Sequence, residues 1–245
     1  MERREYLRLA AVEDRMWWFA GLHRNLVAAW QPYRAGGRAI LDAGCGTGGF
    51  LARLAAAAPE AVSCGLELDE EAAHVARAKS GCAVAIGSVN HLPFAERSLD
   101  AIFSADVLCH RGVEERAALA GFRRSLKSGG VLVLNLPAYR WLHSAHDEAV
   151  DNARRYGRGE VLRLLRGAGF AQVRARYWNS IPFPLMVLRR KLPRIGGEAG
   201  ASEVALLAPP LERLLRACLA LERGLGAIGL RLPFGGSILA IAVKP

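Results

Sequence analysis

The residues best suited to chemistry are concentrated in one turn. Ile40-Leu41-Asp42-Ala43-Gly44-Cys45-Gly46-Thr47-Gly48-Gly49 runs from a short apolar segment through glycines into a helical pattern. Glycine lets a ligand approach the backbone closely, and the helix that follows offers N-terminal amides. Gly44, Gly46 and Gly49 fit the dinucleotide spacing G-x-G-x-x-G, while Gly44, Gly46 and Gly48 fit the tighter G-x-G-x-G. Asp42 separates the two readings. Its carboxylate would repel a pyrophosphate and attract an ammonium and a sulfonium, so the turn favours S-adenosylmethionine over a nicotinamide dinucleotide. Glu67, 21 residues past Gly46, ends the next apolar run, where an acid can accept both hydroxyls of an adenosine ribose. Either cofactor would use it. A second concentration of reactive types, His143, His146, Asp147, Arg154, Arg155 and Tyr156, lies a hundred residues on.

The elements that must position these groups alternate in type. The first 30 residues read as helix, with Val12, Met16, Phe19, Leu22 and Leu26 in steps of three and four, stopped by Pro32 and Gly36-Gly37. Strands follow at Arg38 to Ala43, Ala61 to Leu68, Cys82 to Ile86, Leu99 to Ser104 and Val131 to Leu136. Helices between them are expected at Phe50 to Ala58, Asp69 to Lys79 (with Asp69 as N-cap) and Glu114 to Lys127. This alternation predicts right-handed crossovers and a mostly parallel sheet with helices on both faces, an α/β Rossmann-like fold. After Pro137 come a helix at Glu160 to Arg166 and strands at Gln172 to Trp178 and Ser237 to Val243, seven strands in all. Residues 179–236 read as a helical insertion, too short for a core of its own, with an amphipathic helix placing Leu211, Leu214, Leu215, Cys218 and Leu225 together. The whole chain is thus read as one domain: an N-terminal helical cap over residues 1–36, a core over 37–178, the insertion, and a last strand over 237–245.

Four ordered segments, ILDAGCGTGGFL, GLELDEEAAHVAR, GSVNHLPFAERSLDAIFSADVLCH and FRRSLKSGGVLVLNLP, resemble the successive motifs of class I S-adenosylmethionine-dependent methyltransferases across residues 38–137. The resemblance implies a seven-stranded sheet whose last strand is antiparallel. It also implies that Asp42, Gly44 and Gly46 lie along the methionine part of the cofactor, Glu67 takes the ribose, Ser88 and Val89 lie beside the adenine, and Asp106 sits near the reaction centre. The family commonly has Asp where this chain has Ser88. EDRMWWFAGLHRNL is similar to an N-terminal helix of bacterial members that closes over the cofactor. Trp17 and Trp18 could stack there, although paired aromatics on a helix more often belong to a core. WLHSAHDEAVDNARRYGRGEVLRLLRGAGF is similar to a subgroup acting on small-molecule, sugar and lipid-linked acceptors, which often has Gly-His where Asp151-Asn152 stand. LPFGGSILAIAVKP resembles that subgroup's last strand.

Methyl transfer is a displacement at an already activated sulfonium, so the protein must align the reactants and, for a hydroxyl acceptor, remove a proton. The loop after the fifth strand faces the edge where open α/β sheets place substrates. His146, followed by Asp147, is the candidate base, since imidazole titrates near neutral pH; His110 is a second. Arg154, Arg155 and Tyr156 are candidates for holding an anionic acceptor, the arginines through bidentate contacts.

Charge is uneven. Residues 1–150 carry 17 Lys/Arg and 17 Asp/Glu, residues 151–245 carry 16 and 6, so the net +10 belongs to the C-terminal part. That excess suits a phosphate-bearing substrate, a lipid surface or nucleic acid, or reflects only an arginine-rich surface. A methyltransferase for a natural product, glycoside or lipid-linked molecule is the leading reading. The alternatives are a nicotinamide-dependent reductase and an RNA-binding protein or RNA methyltransferase. No RNA-binding module is recognisable, which disfavours a nucleic-acid partner. Peripheral contact with anionic membranes through Ile181 to Arg194 and the helix from Leu211 fits a lipid-linked acceptor. Five scattered cysteines without C-x-x-C spacing disfavour zinc and disulfides. No leader peptide is expected from Met1 to Leu9 and no apolar run approaches the ~18 residues of a membrane span, so a cytoplasmic protein is expected.

Overall fold

The computed structural model describes residues 10–34, 39–191 and 206–245. Seven strands form one sheet in the order β3-β2-β1-β4-β5-β7-β6: β1 (Ala39–Ala43), β2 (Val62–Glu67), β3 (Ala83–Ile86), β4 (Leu99–Ala105), β5 (Leu126–Pro137), β6 (Ala171–Trp178) and β7 (Ser237–Val243). The first five are mutually parallel, and β7 runs antiparallel between β5 and β6. Strand order runs outward from β1 to β3 on one side and from β4 to β5 on the other, so the parallel neighbours β1 and β4 meet at the point of reversal, where open α/β sheets place a ligand crevice at the carboxyl ends.

Neighbouring residues in the central strands serve opposite faces, as pleating requires. Leu41, Ile102, Leu132 and Leu134 pack with α4 (Glu115–Ser125) and α6 (Arg158–Gly167) through Leu119, Phe122, Val161 and Leu165. Ile40, Phe103, Val133 and Leu239 pack with α1 (Trp17–Trp30) and α2 (Gly49–Ala57) through Leu22, Leu26, Trp30, Phe50 and Leu54. Burial on both faces explains why these strands are almost continuously apolar in sequence. On the β2–β3 side lies α3 (Glu70–Ser80), whose N-cap Asp69 accepts from the Ala72 amide at 2.8 Å and whose C-cap Gly81 has φ +69°.

The structure departs from the sequence reading in four places. The helix expected across the first 30 residues is broken: residues 10–12 are helical, residues 13–15 form a turn that aims Glu13 inward, Met16 is extended (ψ 132°) and α1 begins at Trp17; residues 1–9, and Arg38 of the first strand, lie outside the described residues. The helix expected to Lys127 stops at Ser125, and β5 begins at Leu126 by pairing with Leu99 before a register irregularity, so Gly129-Gly130 lie inside an irregular strand rather than ahead of it. Residues 183–191 form a further helix, α7 (Phe183–Lys191), beyond the short α5 (Ala145–Ala149) in the loop after β5. Finally, α8 (Pro209–Ala227) buries Leu215 and Leu219, while Leu214, expected on its packed side, is 58% exposed.

Helix α8 seats on α1 at Gly21, where any Cβ would collide with the Leu219 side chain. The Glu212 carboxylate fixes the same junction, accepting from the amides of Trp17 (2.7 Å) and Leu207 (3.1 Å). Residues 192–205 of the expected insertion lie outside the described residues. All five cysteines are free, with Cys45 and Cys109 buried. Among the described residues no helix is long and apolar enough to cross a membrane.

Candidate functional site

The glycine turn leaves β1 and enters α2 at the carboxyl edge of the sheet. Gly44 and Gly48 hold φ +82° and +84°, and neither could carry a side chain: a Cβ on Gly44 would strike Val107, and one on Gly48 would sit 2.7 Å from the Ala76 backbone. The Gly44 and Cys45 amides donate to the Leu66 carbonyl at 2.8 and 3.0 Å, tying the turn to β2.

Three carboxylates surround this turn. Asp42, at the end of β1, is 2% exposed. Glu67, at the end of β2, accepts from the Gly46 amide (2.8 Å), the Leu68 amide (2.9 Å) and the Asp69 amide (3.1 Å). Glu13 comes from the turn ahead of α1, accepting from the Thr47 hydroxyl at 2.6 Å and from the Lys79 ammonium, with its Oε2 placed against Gly49 at the N-terminus of α2. Burial, then Glu67, then Glu13 push the Asp42 carboxyl up to about 8. Lys79 is taken up by Glu13 and Asp14, and Asp42 gains from a cation that would favour its ionised form, so the turn suits a ligand that brings a cation better than one that brings phosphates. Glu13 was not singled out from sequence, where it is one acid on a helical pattern; only the folded turn shows its partner.

Asp106 follows β4 with φ +54°, a conformation uncommon outside glycine. Its amide donates to the Asn135 carbonyl (2.9 Å) and its Oδ2 accepts from the Asn135 amide group (2.8 Å). Asn135 Oδ1 in turn accepts from the Trp178 indole (2.7 Å), on which Trp18 stacks at 6.0 Å. Burial pushes the Asp106 carboxyl up to about 7, while the Asn135 hydrogen bond and the Arg155 charge pull the other way. Ser88 accepts from the Asn90 amide (3.2 Å), capping a short turn in which Val89 is buried. Trp17 and Trp18 pack against the α1-side core. Leu68, beside Glu67, is 69% exposed, an apolar face at the sheet edge that the sequence reading missed.

The loop after β5 is held differently from expectation. His146 lies half-buried on α5. Asp147 is fully buried and accepts from Arg155 (2.8 Å), Arg190 (3.4 Å) and the Ser144 amide (3.0 Å); adjacent helix residues point apart. Arg154 donates to the carbonyls of Val113 (2.7 Å) and His110 (2.9 Å). Arg155 reaches the Ala138 carbonyl (3.0 Å) as well as Asp147, and the Tyr156 hydroxyl lies at 2.7 Å from Glu115 and 3.0 Å from the Leu108 carbonyl. All three, expected to hold an acceptor, are turned onto the protein: Arg154 and Tyr156 fasten the loop to residues 108–115, and Arg155 ties the loop to itself. His110 is half-buried with Nδ1 3.4 Å from the Asp151 carbonyl, and burial lowers its pKa, leaving a neutral ring at pH 7.

Residues 41–134 match the family described as methyltransferase domain. Over 140 residues the chain is 32% identical to the malonyl-(acyl-carrier protein) O-methyltransferase of Dechloromonas aromatica, covering 55% of this chain and 52% of that one. It is also 32% identical over 142 residues to 24-methylenesterol C-methyltransferase 2 of Arabidopsis thaliana, covering 53% and 38%. The chain thus spans about half the length, or less, of these curated relatives. Among solved structures, a SAM-dependent methyltransferase from Thermotoga maritima superposes over 99% of this chain and 95% of its own, with a TM-score of 0.62 at 22% identity, a likeness of fold.

Proposed function

We propose, on the premise that this chain belongs to the class I S-adenosylmethionine-dependent methyltransferases, that it methylates an oxygen of a small-molecule acceptor. The observation that carries the reading is the ring of Glu13, Asp42 and Glu67 around a glycine turn too tight for side chains. That donor set fits a cationic cofactor and disfavours the pyrophosphate of a nicotinamide dinucleotide.

When bound, S-adenosylmethionine supplies a methyl group already activated on a sulfonium, so the chain's own tasks are holding, aligning and proton removal. Asp42, Gly44 and Gly46 are assigned to the methionine part. Glu67 is assigned to the ribose, its carboxylate held in place by three backbone amides. Leu68 offers a flat apolar neighbour for the adenine, together with Ser88 and Val89.

For the acceptor proton we assign Asp106 ahead of His146. Asp106 stands beside the glycine turn through Val107, is oriented by Asn135, and has a carboxyl raised to about 7, where a base works efficiently at neutral pH. His146 and His110 are the alternative bases. Support for oxygen as the acceptor atom comes from the O-methyltransferase relative and from this near-neutral carboxylate. Arg154 and Arg155 are spent on loop contacts, so an acceptor need not be anionic to suit the site.

Two experiments test the proposal. Titration calorimetry should show micromolar binding of S-adenosylhomocysteine and none of NADH; the reverse would move the protein to the reductases. With an acceptor found by radiolabelled methyl transfer, Asp106→Asn should lose the acid limb of the pH–rate profile while His146→Ala keeps it. The opposite pattern would assign the proton to His146.

A further inference from the structure

Outside the cofactor edge, one surface remains unexplained. Leu185 and Leu188 on α7 are 45% and 53% exposed, and the segment after α8 exposes Ile228 (78%), Leu230 (60%) and Phe234 (36%). The two segments meet through their aromatic rings. Phe183 lies 5.8 Å from Phe234, and Trp141, 51% exposed, lies 6.4 Å from Phe183. Ser180 donates to the Phe234 carbonyl at 2.5 Å, and the Glu222 carboxylate on α8 accepts from the Ser180 and Ile181 amides at 2.7 and 3.3 Å, pinning the two segments side by side. Soluble proteins rarely leave so many large apolar side chains uncovered together.

The charges described on these two segments are positive. Arg189, Lys191 and Arg231 are exposed on the same two segments, and Lys191 sits 5.6 Å over the Trp141 ring. Residues 161–191 and 223–245 contain no Asp or Glu. Of the nearby acids, Glu160 pairs with Arg140 and Glu222 accepts from the backbone amides above, while Glu198 and Glu203 lie outside the described residues.

We infer that this face docks the protein onto an anionic lipid surface, the apolar side chains of Trp141, Leu185, Leu188, Ile228 and Leu230 entering the headgroup region while Arg189, Lys191 and Arg231 meet lipid phosphates. A rim of cations around exposed aliphatic residues is the composition such binding needs, and each cation near the surface contributes about a fivefold gain in partitioning. A second copy of the chain fits less well, because self-pairing would bring these three cations against one another. Nucleic acid would leave the aliphatic groups without partners. The inference stands on surface composition and does not depend on methyl transfer.

Co-sedimentation of the whole chain with phosphatidylcholine vesicles, with and without about one-third phosphatidylglycerol, tests it. Binding should require the anionic lipid and fall with added salt. Ile228→Glu with Leu230→Glu should weaken it by at least about tenfold, and Arg189→Ser, Lys191→Ser and Arg231→Ser together by more than that. Both variants should bind S-adenosylhomocysteine as before, showing that they fold. Three results would each overturn the inference: no sedimentation with either vesicle, sedimentation indifferent to the Ile228/Leu230 exchange, or a dimer by light scattering that this exchange dissolves without any lipid binding.

Discussion

If Asp42 faces the cofactor's ammonium as proposed, cofactor binding must depend on pH. Its carboxyl, raised from 3.8 to about 8 by burial and by Glu67 and Glu13, is mostly protonated at pH 7 in the cofactor-free protein. A ligand ammonium beside it favours the ionised form, so binding expels a proton and tightens as pH rises. If Asp42 is fully ionised in the complex, affinity for S-adenosylhomocysteine should climb about twentyfold between pH 6 and pH 7.5, flattening where the ligand's own α-amine begins to titrate. The same shift bears on stability with the opposite sign. Between pH 3.8 and 8 the unfolded chain loses this proton and the folded chain keeps it, so Asp42 lowers stability by about 1.4 kcal/mol per pH unit, reaching about 5 kcal/mol at pH 7.5. Asp42→Asn should therefore match the parent in melting temperature near pH 4 and exceed it by roughly 10 °C at pH 7.5, while its affinity for the ligand becomes weak and independent of pH. Calorimetry in buffers of different ionisation enthalpy reads the proton release directly. A parent protein with flat affinity from pH 6 to 7.5, or an Asn variant that melts lower at pH 7.5, would refute the assignment of a protonated Asp42.

Other consequences follow from the same geometry. Glu67→Gln, which puts an amide group against the Gly46 amide, should weaken S-adenosylhomocysteine binding by about ten- to a hundredfold in calorimetry, with melting temperature changed less than affinity. Asp147→Ala strands Arg155 and Arg190 together in the interior and should cost about 3–5 kcal/mol in urea unfolding at pH 7. Burial alone would raise the Asp147 carboxyl, but Arg155 and Arg190 hold it below the usual range. Its contribution is therefore present above about pH 4 and lost as pH falls through the folded value, so the two proteins should converge in acid. Gly21→Val should destabilise by about 1–3 kcal/mol through collision with Leu219, and Leu219→Ala on that background should recover part of the loss.

What could be read from the sequence, and what could not, divides along the range of the interactions. The strand–turn–helix at Asp42 to Gly49 and the Asp69 cap are local patterns, in which propensity, spacing and burial agree, and the structure reproduces them. Arg154, Arg155 and Tyr156 were placed correctly on the loop after β5. Whether a guanidinium faces a ligand or a carbonyl forty residues away, as Arg154 faces Val113, is a tertiary fact with no local signature. The start of β5 escaped for a related reason: the helical pattern reads on to Lys127 and Gly129-Gly130 reads as a break ahead of the strand, and only pairing of Leu126 with Leu99 makes this stretch strand. Glu13 carries the same lesson, since its partners, Thr47 and Lys79, lie 34 and 66 residues away.

The junction of α1 and α8 constrains how such a protein can change by recombination. Gly21 receives Leu219, and Glu212 holds the Trp17 and Leu207 amides, so the segment before the cofactor core and the segment inserted late in the chain fit only as a matched pair. A chimera that imports α8 from a relative without α1 would inherit half of a fitted joint. Exchange should succeed when α1 travels with α8, which makes the two ends of this sequence a single heritable module despite nearly two hundred residues between them.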